Sequence, residues 1–138
     1  MKLRSKALML DASLFVVGGA VYQVIELAWR GYTHWSMFIA AGICVLIIKH
    51  TSGFINGILY QSILGGLIIT AVEFMAGCIF NLLLGMNVWN YSSVSFNVMG
   101  QICPLYTCFW MLLSCPVLFL CRFGQWTANA IEQRRKAV

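Results

Sequence analysis

Two of the four acidic residues in this 138-residue chain, Glu26 and Glu73, stand inside apolar stretches of helix length. An ionised carboxylate in such a setting costs several kcal/mol unless it is paired, protonated or given a wet cavity, so each needs a partner or a use. Glu26 has Arg30 one helical turn further on, the spacing of an interfacial ion pair. Glu73 has no basic residue nearby. Counting from the paired glutamates, Ala76 and Gly77 stand where the first has Trp29 and Arg30. A carboxyl placed this way can hold a cation, carry a proton or anchor a polar ligand, with partners drawn from another helix.

Amide groups supply the second half of that chemistry. The stretch Asn87-Val88-Trp89-Asn90-Tyr91-Ser92-Ser93, followed by Phe96-Asn97-x-x-Gly100-Gln101, is dense in amides and hydroxyls next to an apolar run. Amides hydrogen-bond a buried carboxylate or a polar ligand without adding charge. Gln101, expected just inside the fourth apolar run, is the expected partner of Glu73, with Asn97 and Asn90 assisting. Trp89 and Tyr91 close the mouth of the pocket, and Glu26 with Arg30 frames its other side. The expected substrate-binding set is therefore Glu73, Gln101, Asn97, Asn90, Trp89, Tyr91, Glu26 and Arg30. Catalytic motifs are not found: the chain carries no GxSxG elbow, HExxH pair or Walker A run. Its six cysteines lack the CxxC spacing of zinc sites and read as small packing residues, and no cofactor or metal is expected.

The elements that must position these groups follow from composition. With 61% hydrophobic and 9% charged residues and a mean hydropathy of +0.84, a chain this short has too much apolar surface for a water-soluble core. A bilayer core about 30 Å thick takes about 20 helical residues per crossing, so four spans fit. The apolar runs place them at about 7–29, 37–48, 58–85 and 98–120, an all-α integral membrane protein with one membrane domain. The basic start before the first run reads as a flank of the first span rather than a leader, because Asp11 interrupts the run and no small-x-small site follows. Gly18-Gly19 precedes Glu26 by seven residues as Gly65-Gly66 precedes Glu73, and Phe38-x-x-x-Gly42 matches Phe96-x-x-x-Gly100. The expectation is two tandem helical hairpins, 7–50 and 58–121, in a parallel repeat, followed by a basic tail over 122–138 read as a short amphipathic or frayed helix. Lys2, Arg4, Lys6, Lys49, Arg122, Arg134, Arg135 and Lys136 fall at one side and Arg30 alone at the other, which predicts both termini in the cytoplasm of a cell-membrane protein. Anionic lipids at that face explain the basic balance, and nucleic acid is not needed as a partner.

One further reading comes from a block in the second half. Glu73-Phe74-x-x-Gly77, Trp89-Asn90-Tyr91-Ser92, Phe96-Asn97-x-x-Gly100-Gln101-Ile102 and Trp110 resemble the bacterial ABC-transporter type IV permease-like membrane proteins. That family shares a Trp-Asp-Tyr-Ser block with a small family of eukaryotic multi-span proteins. Asn90 stands where the block usually has Asp, so this chain has lost a charge there. The resemblance implies a permease or transporter subunit, working as a homo-oligomer or with a separate subunit, on a small-molecule or ion ligand that the residues do not name. Two other classes stand beside it: a membrane enzyme using Glu73 as acid or base on a lipid-like substrate, and a structural or pore-forming protein in which the glutamates pin helix register.

Overall fold

The computed structural model describes residues 2–136, with side chains described for 5–134. Of the basic residues counted above, Lys2, Arg4, Arg135 and Lys136 have side chains outside that set. Four helices dominate: α1 (Lys2–Arg30), α2 (Trp35–Thr51), α3 (Ile58–Ala76) and α4 (Pro104–Lys136). A short 3₁₀ turn, Ser52–Phe54, extends α2, and wider π-helical turns, Gly77–Leu83, extend α3. All four are long and apolar enough to cross a membrane. The closest packing joins α1 to α2 and α3 to α4.

Glycine sets both contacts. A Cβ on Gly19 would fall 2.7 Å from the Phe38 carbonyl oxygen, and one on Gly66 would fall 2.6 Å from the Met111 backbone nitrogen. Close backbone approach replaces the hydrophobic drive that lipid cannot supply. Two small apolar cores hold the ends of the bundle. One gathers Leu14, Val45 and Cys121, and the other gathers Met37, Ala76, Val88 and Trp89.

The helix bounds sharpen the expected ones. α2 opens at Trp35 and reaches Thr51, a few residues past 37–48 at each end, and Lys49 pairs with Asp11 of α1. The fourth span begins at Pro104, not at 98. Proline lacks the N–H that a first helical turn leaves unused, and Met99 and Gly100 at φ 54° and 70° are incompatible with a helix just before it. The basic tail from Arg122 is helical as far as Lys136, in continuation of α4. Phe38 and Gly42 lie within α2, whereas Phe96 and Gly100 lie in the α3–α4 connection at φ 59° and 70°. That half of the sequence match therefore pairs a helix with a loop.

Charged groups sort to the two ends. Lys6 with Glu132 (3.6 Å) and Arg122 with Gln61 (2.7 Å) lie at the same end as Lys49 and Asp11. His34, before α2, and His50, in its last turn, mark opposite ends of that helix. Glu26, Arg30 and the α3–α4 connection occupy the His34 end.

Candidate functional site

Glu73 sits one turn before the end of α3, 6% exposed. Two neutral donors reach it. The Tyr91 hydroxyl donates to Oε1 at 2.7 Å, and the Trp110 indole N–H donates to Oε2 at 2.8 Å. Both oxygens accept, and no cation touches either among the described residues. Tyr91 comes from the α3–α4 connection and Trp110 from α4, so the carboxyl ties three segments together.

An aromatic stack holds these donors in place. Tyr106, one turn before Trp110 on α4, lies flat on Tyr91 with ring centroids 4.5 Å apart and planes 17° apart. Its centroid is 6.1 Å from that of Trp110, and Tyr22 of α1 approaches Trp110 from the other side, also at 6.1 Å. Burial, and next the facing Glu73 carboxyl, push the Tyr91 phenol above its usual range, so it stays a donor at neutral pH.

Glu26 forms the second, separate cluster. Its Oε1 lies 2.7 Å from Arg30 Nη2, and its Oε2 accepts from the Thr33 hydroxyl. The Arg30 guanidinium also covers the Tyr32 ring at 4.4 Å from the centroid. The pair expected from the i, i+4 spacing is formed, and the carboxylate is 5% exposed.

The amides do something other than expected. Gln101 lies before α4 rather than in it, and its Oε1 accepts from Asn81 Nδ2 at 2.8 Å while its Nε2 donates to the Met99 carbonyl. The expected Gln101–Glu73 bond is therefore replaced by the Tyr91 and Trp110 bonds. Asn81, on the π-helical turns, also donates to the Trp89 carbonyl at 3.0 Å and accepts from the Val88 N–H at 2.6 Å. Trp89 Nε1 donates to the Gln101 carbonyl at 2.9 Å. Asn97 caps its own turn through Val94 and Gly100, and Asn90 Oδ1 accepts from the Ser92 N–H at 2.8 Å. These side chains stitch the connection into a fixed plug over the helix ends, which then presents Tyr91 to Glu73. Trp110 belongs to the family-like block but not to the expected binding set, and Tyr22, Tyr106 and Asn81 belong to neither. For Tyr106 and Trp110 the signal is their spacing, Tyr106-x-x-x-Trp110, which puts both on one face of a helix.

Between the hairpins lies a cavity of about 500 Å³. Glu73, Glu26, Arg30, Asn90, Trp89 and Tyr91 all line it, together with rings from α1 and α4. Asn97 and Gln101 do not. A second cavity of about 260 Å³ runs deeper between the helices and is almost wholly apolar, with Glu73 on its wall too.

Compared with known proteins, residues 14–137 match the model of the family described as "Putative ABC-transporter type IV". No curated protein and no solved structure matches the chain.

Proposed function

The chain belongs to that ABC-transporter type IV family, and from this premise we propose that it is a permease or transporter subunit whose ligand pocket lies between the two hairpins around Glu73. Family membership and four apolar helices make it a multi-pass membrane protein of transporter kind. The observation that carries the pocket is a single one. Glu73 has its two oxygens engaged only by uncharged donors, and it stands on the wall of a cavity that also takes in Glu26, Arg30 and Tyr91. A packed structural acid would have no such space beside it.

The rest of the reading follows from charge and packing. The cluster of Lys6, Lys49 and Arg122 at one end favours a cytoplasmic location for that end and for both termini, in contact with anionic lipid, with the cavity opening toward the outer face. Four spans enclose a pathway poorly, so a second copy or a separate subunit completes it. Matching Gly-Gly-to-Glu spacing in α1 and α3, and glycine-mediated contacts in both hairpins, favour a tandem origin of the two halves.

A ligand screen on the purified protein tests the pocket. Wild type and Glu73→Gln are compared for thermal stabilisation by panels of inorganic cations, organic cations, neutral solutes and anions. Stabilisation of wild type by one class, lost in Glu73→Gln of normal expression and dispersity, is the expected result, and uptake of that class into proteoliposomes follows. If instead Glu73→Gln assembles poorly and no class stabilises wild type, the carboxyl is a structural anchor.

A further inference from the structure

The two cavities differ in chemistry and meet at Glu73. Tyr22, Ile25, Met37, Trp89, Trp110 and Leu113 line both, as does Glu73 itself. On one side of this junction the chamber is walled by aromatic side chains: Trp29 and Tyr32 from α1 and its turn, Tyr91 from the plug, Tyr106 and Phe109 from α4. On the other side the slot is walled by branched aliphatic residues, among them Val45, Ile48, Ile69, Val72, Val117 and Leu120. A polar, aromatic chamber joined to a hydrocarbon slot has the shape of an amphiphile.

The charges select its sign. Two carboxyls and one guanidinium line the chamber, and the guanidinium charge is balanced by Glu26, with its face over Tyr32 and its Nε without a hydrogen-bond partner among the described residues. The carboxyl without a counter-charge in contact is Glu73. Anionic head groups would meet that carboxyl as a like charge. Cationic ones would meet a carboxyl in a chamber lined largely by aromatic side chains, a setting that favours alkylammonium groups. Both Glu73 oxygens already accept a hydrogen bond, so a head that asks for charge and ring faces suits the site better than one that must donate several bonds. A small hydrated metal ion or a sugar would leave the aliphatic slot unused.

We infer that this site takes an amphiphilic organic cation, with an ammonium head in the aromatic chamber against Glu73 and an alkyl or aryl tail in the slot between α1, α2, α3 and α4. Access is lateral. Val21 and Ile25 on α1 and Phe109 on α4 line the cavities and are 49%, 41% and 45% exposed, facing the lipid side of the bundle. A ligand of this class partitions into the bilayer and enters from there without crossing the plug. This inference rests on the pocket proposed above and names its substrate class.

The test uses the full chain in nonionic maltoside micelles, read by the fluorescence of its tryptophans, three of which line the chamber. The probes are decyltrimethylammonium, tetramethylammonium and decanoate, applied to wild type, Glu73→Gln and Val72→Phe. Wild type is expected to bind decyltrimethylammonium at least tenfold more tightly than either other probe. Glu73→Gln should lose at least tenfold of that affinity. Val72→Phe, which fills the slot, should keep the tetramethylammonium response and lose the preference for the decyl chain. Equal affinity for tetramethylammonium and its decyl analogue in wild type, with loss in Glu73→Gln, would overturn the amphiphile and leave a small-cation pocket. Preference for decanoate would overturn the cationic head. A response to every probe that is the same in wild type and Glu73→Gln would overturn the pocket itself.

Discussion

The Trp110 indole N–H donates to Glu73 Oε2 at 2.8 Å across 37 residues of sequence, fastening α4 to α3 at a buried carboxyl that no charged group touches among the described residues. Hydrogen bonds to charged groups contribute about 1.5–3 kcal/mol in water-soluble proteins, and side-chain bonds within membranes average nearer about 0.6 kcal/mol. Trp110→Phe should therefore lower stability by about 1 kcal/mol. Tyr91→Phe should do about the same. The double variant strips both donors from a buried group, so its loss should exceed the sum of the two singles. Unfolding in mixed micelles measures all three, and strict additivity would mean that the two donors do not share the carboxyl.

Asn81 is the residue on which the plug depends. It makes three bonds, to the Trp89 carbonyl, the Val88 N–H and the Gln101 side chain, and is 7% exposed. Leaving one buried backbone group unsatisfied costs about 1–3 kcal/mol, so Asn81→Leu should destabilise by more than any other single change in the connection. Since Trp89 is anchored by the same network, its fluorescence should shift to the red as it meets water. A blue, unshifted spectrum with a lowered melting point would place the damage elsewhere.

Helix approach gives a sharper contrast. A Cβ on Gly66 would lie 2.6 Å and 2.7 Å from backbone atoms of Met111, and backbone cannot yield as a flexible side chain can. Gly66→Ala should cost about 1–3 kcal/mol, the range seen for overpacking. A methyl group placed on Gly53, in the turn after α2, would meet nothing within 4 Å. Gly53→Ala should be close to neutral, within about 0.5 kcal/mol. Equal losses in the two would show that helix approach at Gly66 is not tight.

These contrasts explain what is legible in the sequence. Four spans, the Glu26–Arg30 pair and the isolation of Glu73 follow from hydropathy and helical spacing, which depend only on neighbours along the chain. The partners of Glu73 do not. Assigning Gln101 to a helix puts its amide beside α3, whereas Pro104 starts the helix three residues later and Met99 and Gly100 turn the chain at positive φ. Positive φ at Met99 and Phe96, which are not glycine, has no composition signal. Asn87, Asn90, Asn97 and Gln101 have the composition of a ligand shell, yet in the fold they hydrogen-bond the connection's own backbone. Backbone in an irregular plug at membrane depth must be satisfied internally, so amide density there marks the plug before it marks a ligand.

Asn90 offers a substitution that separates scaffold from charge. Its Oδ1 accepts from the Ser92 N–H, a role that an aspartate oxygen fills equally well, and the residue lines the larger cavity. Asn90→Asp should leave stability within about 0.5 kcal/mol of wild type, since no donor bond of Asn90 is replaced. It also adds a second uncompensated carboxyl to the chamber. Decyltrimethylammonium should then bind several-fold more tightly, read by the same tryptophan fluorescence titration. Unchanged affinity would place Asn90 too far from the bound head to matter.

Alkaline pH gives an independent reading of Tyr91. Its phenol is raised above the usual range by burial and by the Glu73 carboxyl beside it, while in the unfolded chain it titrates near about pH 10. Below that pH both states keep the proton, and the contribution to stability is complete. Above it the unfolded chain releases a proton that the folded protein retains, so stability falls as pH rises, by about 1.4 kcal/mol per pH unit for this one group. Tyr91→Phe removes the proton from both states. Between pH 10 and 11 the variant should therefore lose stability less steeply than wild type, by up to that single-proton slope, measured as unfolding midpoints at each pH. If the two slopes coincide, Tyr91 ionises as freely in the folded protein as in the unfolded one, and the phenol is not held against Glu73 away from water.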